Sequence, residues 1–203
     1  MEIITGVLDN FISDGIGKLS MSEVAKTYEE TNDNFDVYKD KTFNRKQIAI
    51  IKRNSYLVLN HVFTPKECEK LLSLNSKKIK QNNNHVNEYS VKSKELAAII
   101  SDRISTIVKY NAKIKHRNVS SKFILSEFID ESYYHVTKGK SHVYIFLNSG
   151  FKNGRIYVNG SKYKPITGSV LITNEVCKGE QIKDGYQYVI QGFMLEQEIL
   201  DNS

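Results

Sequence analysis

"GEQIKDGYQYVIQGFML", residues 179–195, is the stretch on which the fold turns. A polar turn ends at Gly185, and Tyr, Val, Ile and Phe dominate the residues after it. Such residues favour strands, so the segment reads as the last turn and closing strand of a small β-barrel. Toward the N-terminus, "GSVLIT" (168–173), "GRIYVNG" (154–160), "SHVYIFLN" (141–148) and "KFILSEFI" (122–129) are further short strand candidates, punctuated by Gly, Asn and Lys-Pro turns. Short strands at regular spacing imply an antiparallel sandwich or barrel.

Before Asn118 the periodicity is helical. "SYLVLNHVF" (55–63) reads as a strand and leads into "TPKECEKLLSLNSKK". There Thr64 is a good N-cap, Pro65 suits the first helical position, and Glu67 completes a capping box. This predicts a helix over 64–78 with Cys68, Leu71, Leu72 and Ile79 toward the core. "QNNNHVNEYS" (81–90) reads as a loop. In "KSKELAAIISDRISTIVKYN" (92–111), Leu96, Ile99, Ile100, Ile104, Ile107 and Val108 recur at helical spacing and predict a second amphipathic helix. Residues 1–54 read as a partly helical N-terminal extension, with a helical pattern in "MSEVAKTYEE" and irregular chain after it. Residues 55–203 form the main domain, with barrel strands over 122–196. The fold class is α+β.

The chain has 203 residues, enough for one domain with a sizeable core, and an ordinary globular composition of 40% apolar and 26% charged residues. There is no run of about eighteen apolar residues, so no membrane span is expected. The start has neither a basic n-region nor a small-residue cleavage site, which predicts no signal peptide and a cytoplasmic protein. Cys68 and Cys177 are far apart, lack metal-site spacing, and are expected to be free thiols. Net charge is +6. From Lys66 to Arg117 twelve Lys/Arg face five Asp/Glu, a basic stretch that suits either solvated helix faces or a nucleic-acid partner. The abundance of Asn, Lys and Ile fits an AT-rich genome, a viral one among them; for a viral protein the location becomes the host cytoplasm.

Four segments together resemble the prolyl-4-hydroxylase-like 2-oxoglutarate/Fe(II) oxygenases. "YLVLNHVFTPKECEKLL" is similar to their opening strand and capped helix, and "HVYIFLNSGFKNGRIYV" to their "YLN-x-x-F-x-G-G" strand and turn. "YKPITGSVLIT" is similar to "P-x-x-G-x-x-l-x-F", and "CKGEQIKDGYQYVIQG" to "H-x-G-x-x-V-x-x-G-x-K-Y-v-l-R". The match runs in order over residues 55–196 and takes in both prolines, Pro65 and Pro165. It implies a double-stranded β-helix, a jelly-roll-like barrel, with supporting N-terminal helices.

The resemblance also implies a chemistry, and this sequence departs from it. The family holds iron with a His and a carboxylate two residues apart on one strand plus a distal His, leaving positions open for oxoglutarate and dioxygen. A basic residue on the closing strand pairs with the far carboxylate of oxoglutarate. Here the first pair becomes His135 and Thr137, the distal position is Cys177, and the basic position is Gln191. A threonine hydroxyl is a poor iron ligand, a thiolate at Cys177 is outside the family's set, and an amide cannot neutralise a carboxylate. Burying an ionised carboxylate without a counter-charge costs several kcal/mol.

The expectation is therefore a pseudoenzyme: no catalytic residue, no cofactor and no metal, acting through protein–protein contacts. The alternative is an atypical active dioxygenase, a hydroxylase using Fe(II) and 2-oxoglutarate with His135 and Cys177 as ligands. A third reading is a nucleic-acid binder using the basic 66–117 helical face. His142 reads as structural, Tyr133 and Tyr134 as rim packing or a contact patch, and Arg155 and Lys183 as surface charge or anion contacts. His61, His85 and His116 carry no spacing signal.

Overall fold

The computed structural model describes residues 39–53, 56–75, 86–108, 118–128 and 140–195. The chain builds a large sheet first. Strands β1 (Ala49–Lys52), β2 (Tyr56–Asn60), β3 (Val86–Lys92), β4 (Asn118–Val119), β5 (Lys122–Phe128), β6 (His142–Phe146), β10 (Val170–Thr173) and β13 (Gln187–Leu195) belong to it. Their order is β1-β2-β10-β6-β13-β5-β3, with β4 on the end of β13, and the pairings are antiparallel. A smaller layer holds β8 (Ile156–Val158), β9 (Ser161–Tyr163) and β11 (Cys177–Gly179) in one sheet. Strands β7 (Lys152–Asn153) and β12 (Ile182–Asp184) form another.

Residues on the two faces of the large sheet enter separate cores. On one face Leu57, Leu59, Leu125, Val143, Ile145, Val170, Ile172 and Ile190 cluster with Leu71 of helix α1 (Pro65–Asn75) and with Leu96, Ile99, Ile100 and Ile104 of helix α2 (Lys94–Val108). On the other face Val58, Phe128, Tyr144, Phe146, Leu171 and Val189 cluster with Ile156, Val158, Tyr163, Cys177 and Ile182 of the smaller sheets. This double burial explains why β2, β6 and β10 read as unbroken apolar runs: neither face meets water. Each fully buried aliphatic side chain stabilises the fold by roughly 1.5–3 kcal/mol.

The α1 N-terminus forms as its sequence predicts. Thr64 Oγ1 accepts from the Glu67 N–H at 3.3 Å, and Glu67 Oε2 accepts from the Thr64 N–H at 3.0 Å. Glu67 does more than cap. It is completely buried and takes Arg103 of α2 in a two-pronged contact, Nη1 to Oε2 at 2.8 Å and Nη2 to Oε1 at 2.7 Å. Arg103 also donates to the Val62 carbonyl at 2.7 Å and lies over the Phe43 ring, 3.7 Å from its centre. The Asp40 N–H donates to Glu67 at 2.9 Å, so one carboxylate joins both helices to the segment that precedes β1.

Several sequence expectations change here. The loop expected over 81–90 contains the first part of β3, which pairs residue for residue with β5 from Val86 to Lys92. Asn and Ser are poor strand formers, but seven cross-strand pairs outweigh that propensity. The helix expected over 92–111 starts at Lys94, because Lys92 still belongs to β3 and the Ser93 hydroxyl caps the helix by accepting from the Leu96 N–H at 3.0 Å. Part of the segment read as extension, Ala49–Lys52, is an edge strand of the large sheet. The stretch over 154–160 divides into β8 and a turn, and "CKGEQIKDG" supplies β11 and β12. No closed hydrogen-bonded barrel forms among the described residues: the large sheet ends at β1 on one side and β3 on the other. The helical pattern of 21–30 and the helix ends beyond Asn75 and Val108 lie outside the described residues.

Candidate functional site

The face of the large sheet that meets the smaller sheets, together with the core against it, holds two of the positions that the resemblance singles out, Gln191 and Cys177. Alternation along β13 puts Gln187, Val189 and Gln191 on that face, and Val189 belongs to its core. Gln191 sits between Tyr144 of β6 and Ile124 of β5 in register and is 4% exposed. Its Nε2 donates to Ser126 Oγ at 2.8 Å, and that hydroxyl donates to Glu88 Oε1 of β3 at 3.2 Å. A run of three polar side chains thus crosses β13, β5 and β3 and ends on a carboxylate.

Gln187, which the family pattern does not single out, is also buried; its Nε2 donates to the Gly154 carbonyl at 3.4 Å. The two-residue period of the strand is the sequence signal that points to it. Both inward polar positions of β13 therefore carry neutral amides, whichever of the two is aligned with the family's basic position.

Cys177 enters the same core from β11 and is fully buried. Burial pushes its thiol up to about 12; a hydrogen bond from Tyr144 works against this and the charge of Glu175 adds to it. At neutral pH it is an SH group. Tyr144, whose register partner is Gln191, links the two positions. His142 is buried and stacks on Tyr144 with ring centres 6.1 Å apart. His135, Thr137, Tyr133, Tyr134, His85 and His116 lie outside the described residues. His61 is exposed, with a left-handed φ of 61°. Arg155 faces solvent and approaches Glu180 at 3.8 Å, and Lys183 is exposed.

The distribution of cations is informative. Among the described residues every Lys is exposed, and so are Arg45, Arg53 and Arg155. Arg103 is the one buried cation among them, and it lies in the helical layer, bound to Glu67. This also alters the basic 66–117 face: Arg103 and Glu67 cancel in the interior. Lys66, Lys70, Lys92 and Lys94 remain on the described surface. No group of three or more His, Cys, Asp or Glu with metal-holding geometry occurs among the described residues, and no helix among them is long and apolar enough to cross a membrane.

No protein-family model matches the sequence, and neither does any curated protein sequence. Solved structures do match. A viral collagen prolyl hydroxylase from Paramecium Bursaria Chlorella virus-1, in complex with 2OG, superposes with a TM-score of 0.57 at 12% identity, covering 71% of this chain and 97% of the other. A 2OG-Fe(II) oxygenase family oxidoreductase from Burkholderia pseudomallei gives 0.53 at 11% identity, covering 68% and 83%. A Pseudomonas putida prolyl-4-hydroxylase gives 0.52 at 10% identity, covering 70% and 93%. With its large sheet, smaller facing layer and order of elements, this chain has the prolyl-4-hydroxylase-like fold of the 2-oxoglutarate/Fe(II) oxygenases.

Proposed function

We propose that this protein is a non-catalytic binding module on an oxygenase-like scaffold, and that it works by surface contact with a protein partner. The observation that carries the reading is the Gln191–Ser126–Glu88 run. Oxoglutarate is a dianion, and its far carboxylate needs a cation or several strong donors once it leaves water. The described interior offers neutral amides at Gln187 and Gln191, one N–H of Gln191 is engaged by Ser126, and the carboxyl group of Glu88 lies at the end of the same run. These residues do not fit the keto acid. At about 1.4 kcal/mol per tenfold, a penalty of several kcal/mol weakens binding by orders of magnitude.

The identities of Thr137 and Cys177 support the same reading for the metal. A threonine at the family's carboxylate position brings no negative charge to a divalent ion. The Cys177 proton would have to leave a buried thiol before the sulfur could bind. A fold is reused freely once its site is lost.

The test is turnover. The full chain, supplied with Fe(II), oxoglutarate and ascorbate, should release no succinate above a protein-free control. Succinate release that disappears in His135→Ala would establish the atypical dioxygenase instead.

A further inference from the structure

We infer that the outer face of the three-stranded sheet is a docking surface for single-stranded nucleic acid. Ile156, Val158, Tyr163 and Cys177 of this sheet point into the core. By alternation the intervening residues point outward. In register they form one rung across three strands: Lys178 of β11, Tyr157 of β8 and Lys162 of β9. Both lysines are exposed, Tyr157 is half-buried, and Lys162 Nζ stands 5.3 Å from the centre of its ring. Arg155 and Lys164, which flank the same strands, are exposed as well, and Glu180 is the acid among them.

Four cations and one aromatic ring on a short rigid platform match what a single strand offers. Phosphates meet the cations, and any base can stack on the ring without sequence readout. A protein partner fits this face less well. Protein interfaces are organised around buried apolar anchors; of the exposed large hydrophobic residues of the described chain, Val176 borders this sheet, next to Cys177 of β11, whereas Ile50, Tyr186 and Leu195 lie on or next to other elements. The charge of the chain agrees with a polyanionic partner. Residues 1–38 hold two Lys against eight Asp/Glu, so residues 39–203 carry a net +12 out of the total +6. The surface is separate from the Gln191 site and does not depend on whether that site is active.

The experiment is fluorescence anisotropy of the full chain with a labelled twelve-nucleotide oligo(dT), titrated at several salt concentrations. Neutralising three or four phosphates predicts that log K falls against log salt with a slope of about −2 to −3. Combined Lys162→Glu, Lys164→Glu and Lys178→Glu should weaken binding at least tenfold while the melting temperature stays unchanged. Lys66→Glu with Lys70→Glu on α1 should leave binding intact. Tyr157→Leu should lose about five- to a hundredfold, and Tyr157→Phe should restore it. The inference is overturned by an absence of binding at low salt, or by full binding in the triple variant. It is equally overturned if a poly-glutamate peptide of equal length binds as well as the oligonucleotide and Tyr157→Leu changes neither.

Discussion

The Gln191 side chain donates its hydrogen bond to Ser126, 2.8 Å away on the neighbouring strand, and Ser126 passes its own to Glu88. An amide tied in this way is a structural element of the sheet. Gln191→Leu should therefore lower stability by about 1–2 kcal/mol, because Ser126 loses a partner in a buried place. Urea unfolding, read as a lower midpoint at unchanged slope, measures it. A more stable variant would mean that Gln191 is kept for ligand binding at the expense of stability.

Arg103 and Glu67 form the one buried ion pair among the described residues. Removing one partner leaves an uncompensated buried charge, so Arg103→Met should cost about 3–5 kcal/mol. Glu67→Leu combined with Arg103→Met should recover much of that loss, although Thr64 and Asp40 still forfeit their acceptor. A double-mutant cycle on denaturant midpoints separates the pair from its parts.

The same pair sets an acid sensitivity. Burial raises the Glu67 carboxyl, but hydrogen bonds from Arg103 and from the Thr64 and Asp40 N–H groups outweigh it and hold the pKa below its ordinary value. A depressed folded-state pKa contributes stability that is complete above the unfolded value and is lost as pH falls through the folded one. The melting temperature of the wild type should therefore fall more steeply between pH 5 and pH 3 (roughly the carboxylate range) than that of the double variant. Parallel curves would remove Glu67 from this role.

Burial pushes the thiols of Cys68 and Cys177 to about 12, and both are free. Neither should react with iodoacetamide at pH 8 in the native protein, and both should react at once in denaturant. Mass spectrometry of the alkylated protein gives the count. Rapid native labelling of Cys177 would show an accessible thiolate, as a metal or catalytic role requires.

Gly168 has a φ of +78°, and a Cβ there would fall on the carbonyl of Phe63. Its own carbonyl accepts from the Val62 and Phe63 N–H groups at 3.0 Å each. Gly168→Ala should cost at least about 2 kcal/mol, by strain and by forcing apart the turn before β10 and the start of α1. The measurement is the shift in thermal midpoint.

The sequence discloses those parts of the fold whose signals are local. The Thr64–Glu67 capping box, the apolar runs of β2, β6 and β10, and the Leu96–Ile104 stripe all depend on spacing within one element. What it hides depends on partners distant in the chain. The segment around Asn87–Ser90 becomes a strand because β5 lies beside it. Arg103 reads as one more surface cation until Glu67, 36 residues earlier, is brought against it. At the site, a neutral residue at Gln191, where the resemblance leads one to expect a basic one, is legible from the sequence. The acceptance of its amide by Ser126, the approach of Glu88 and the matching position of Gln187 require the register of four strands.

The most direct measurement is isothermal titration of the full chain with oxoglutarate in the presence of manganese(II), a redox-stable stand-in for ferrous ion. An interior lined by Gln187, Gln191 and a buried thiol predicts no saturable heat up to millimolar ligand. Stoichiometric binding in the micromolar range, abolished by His135→Ala, would contradict it.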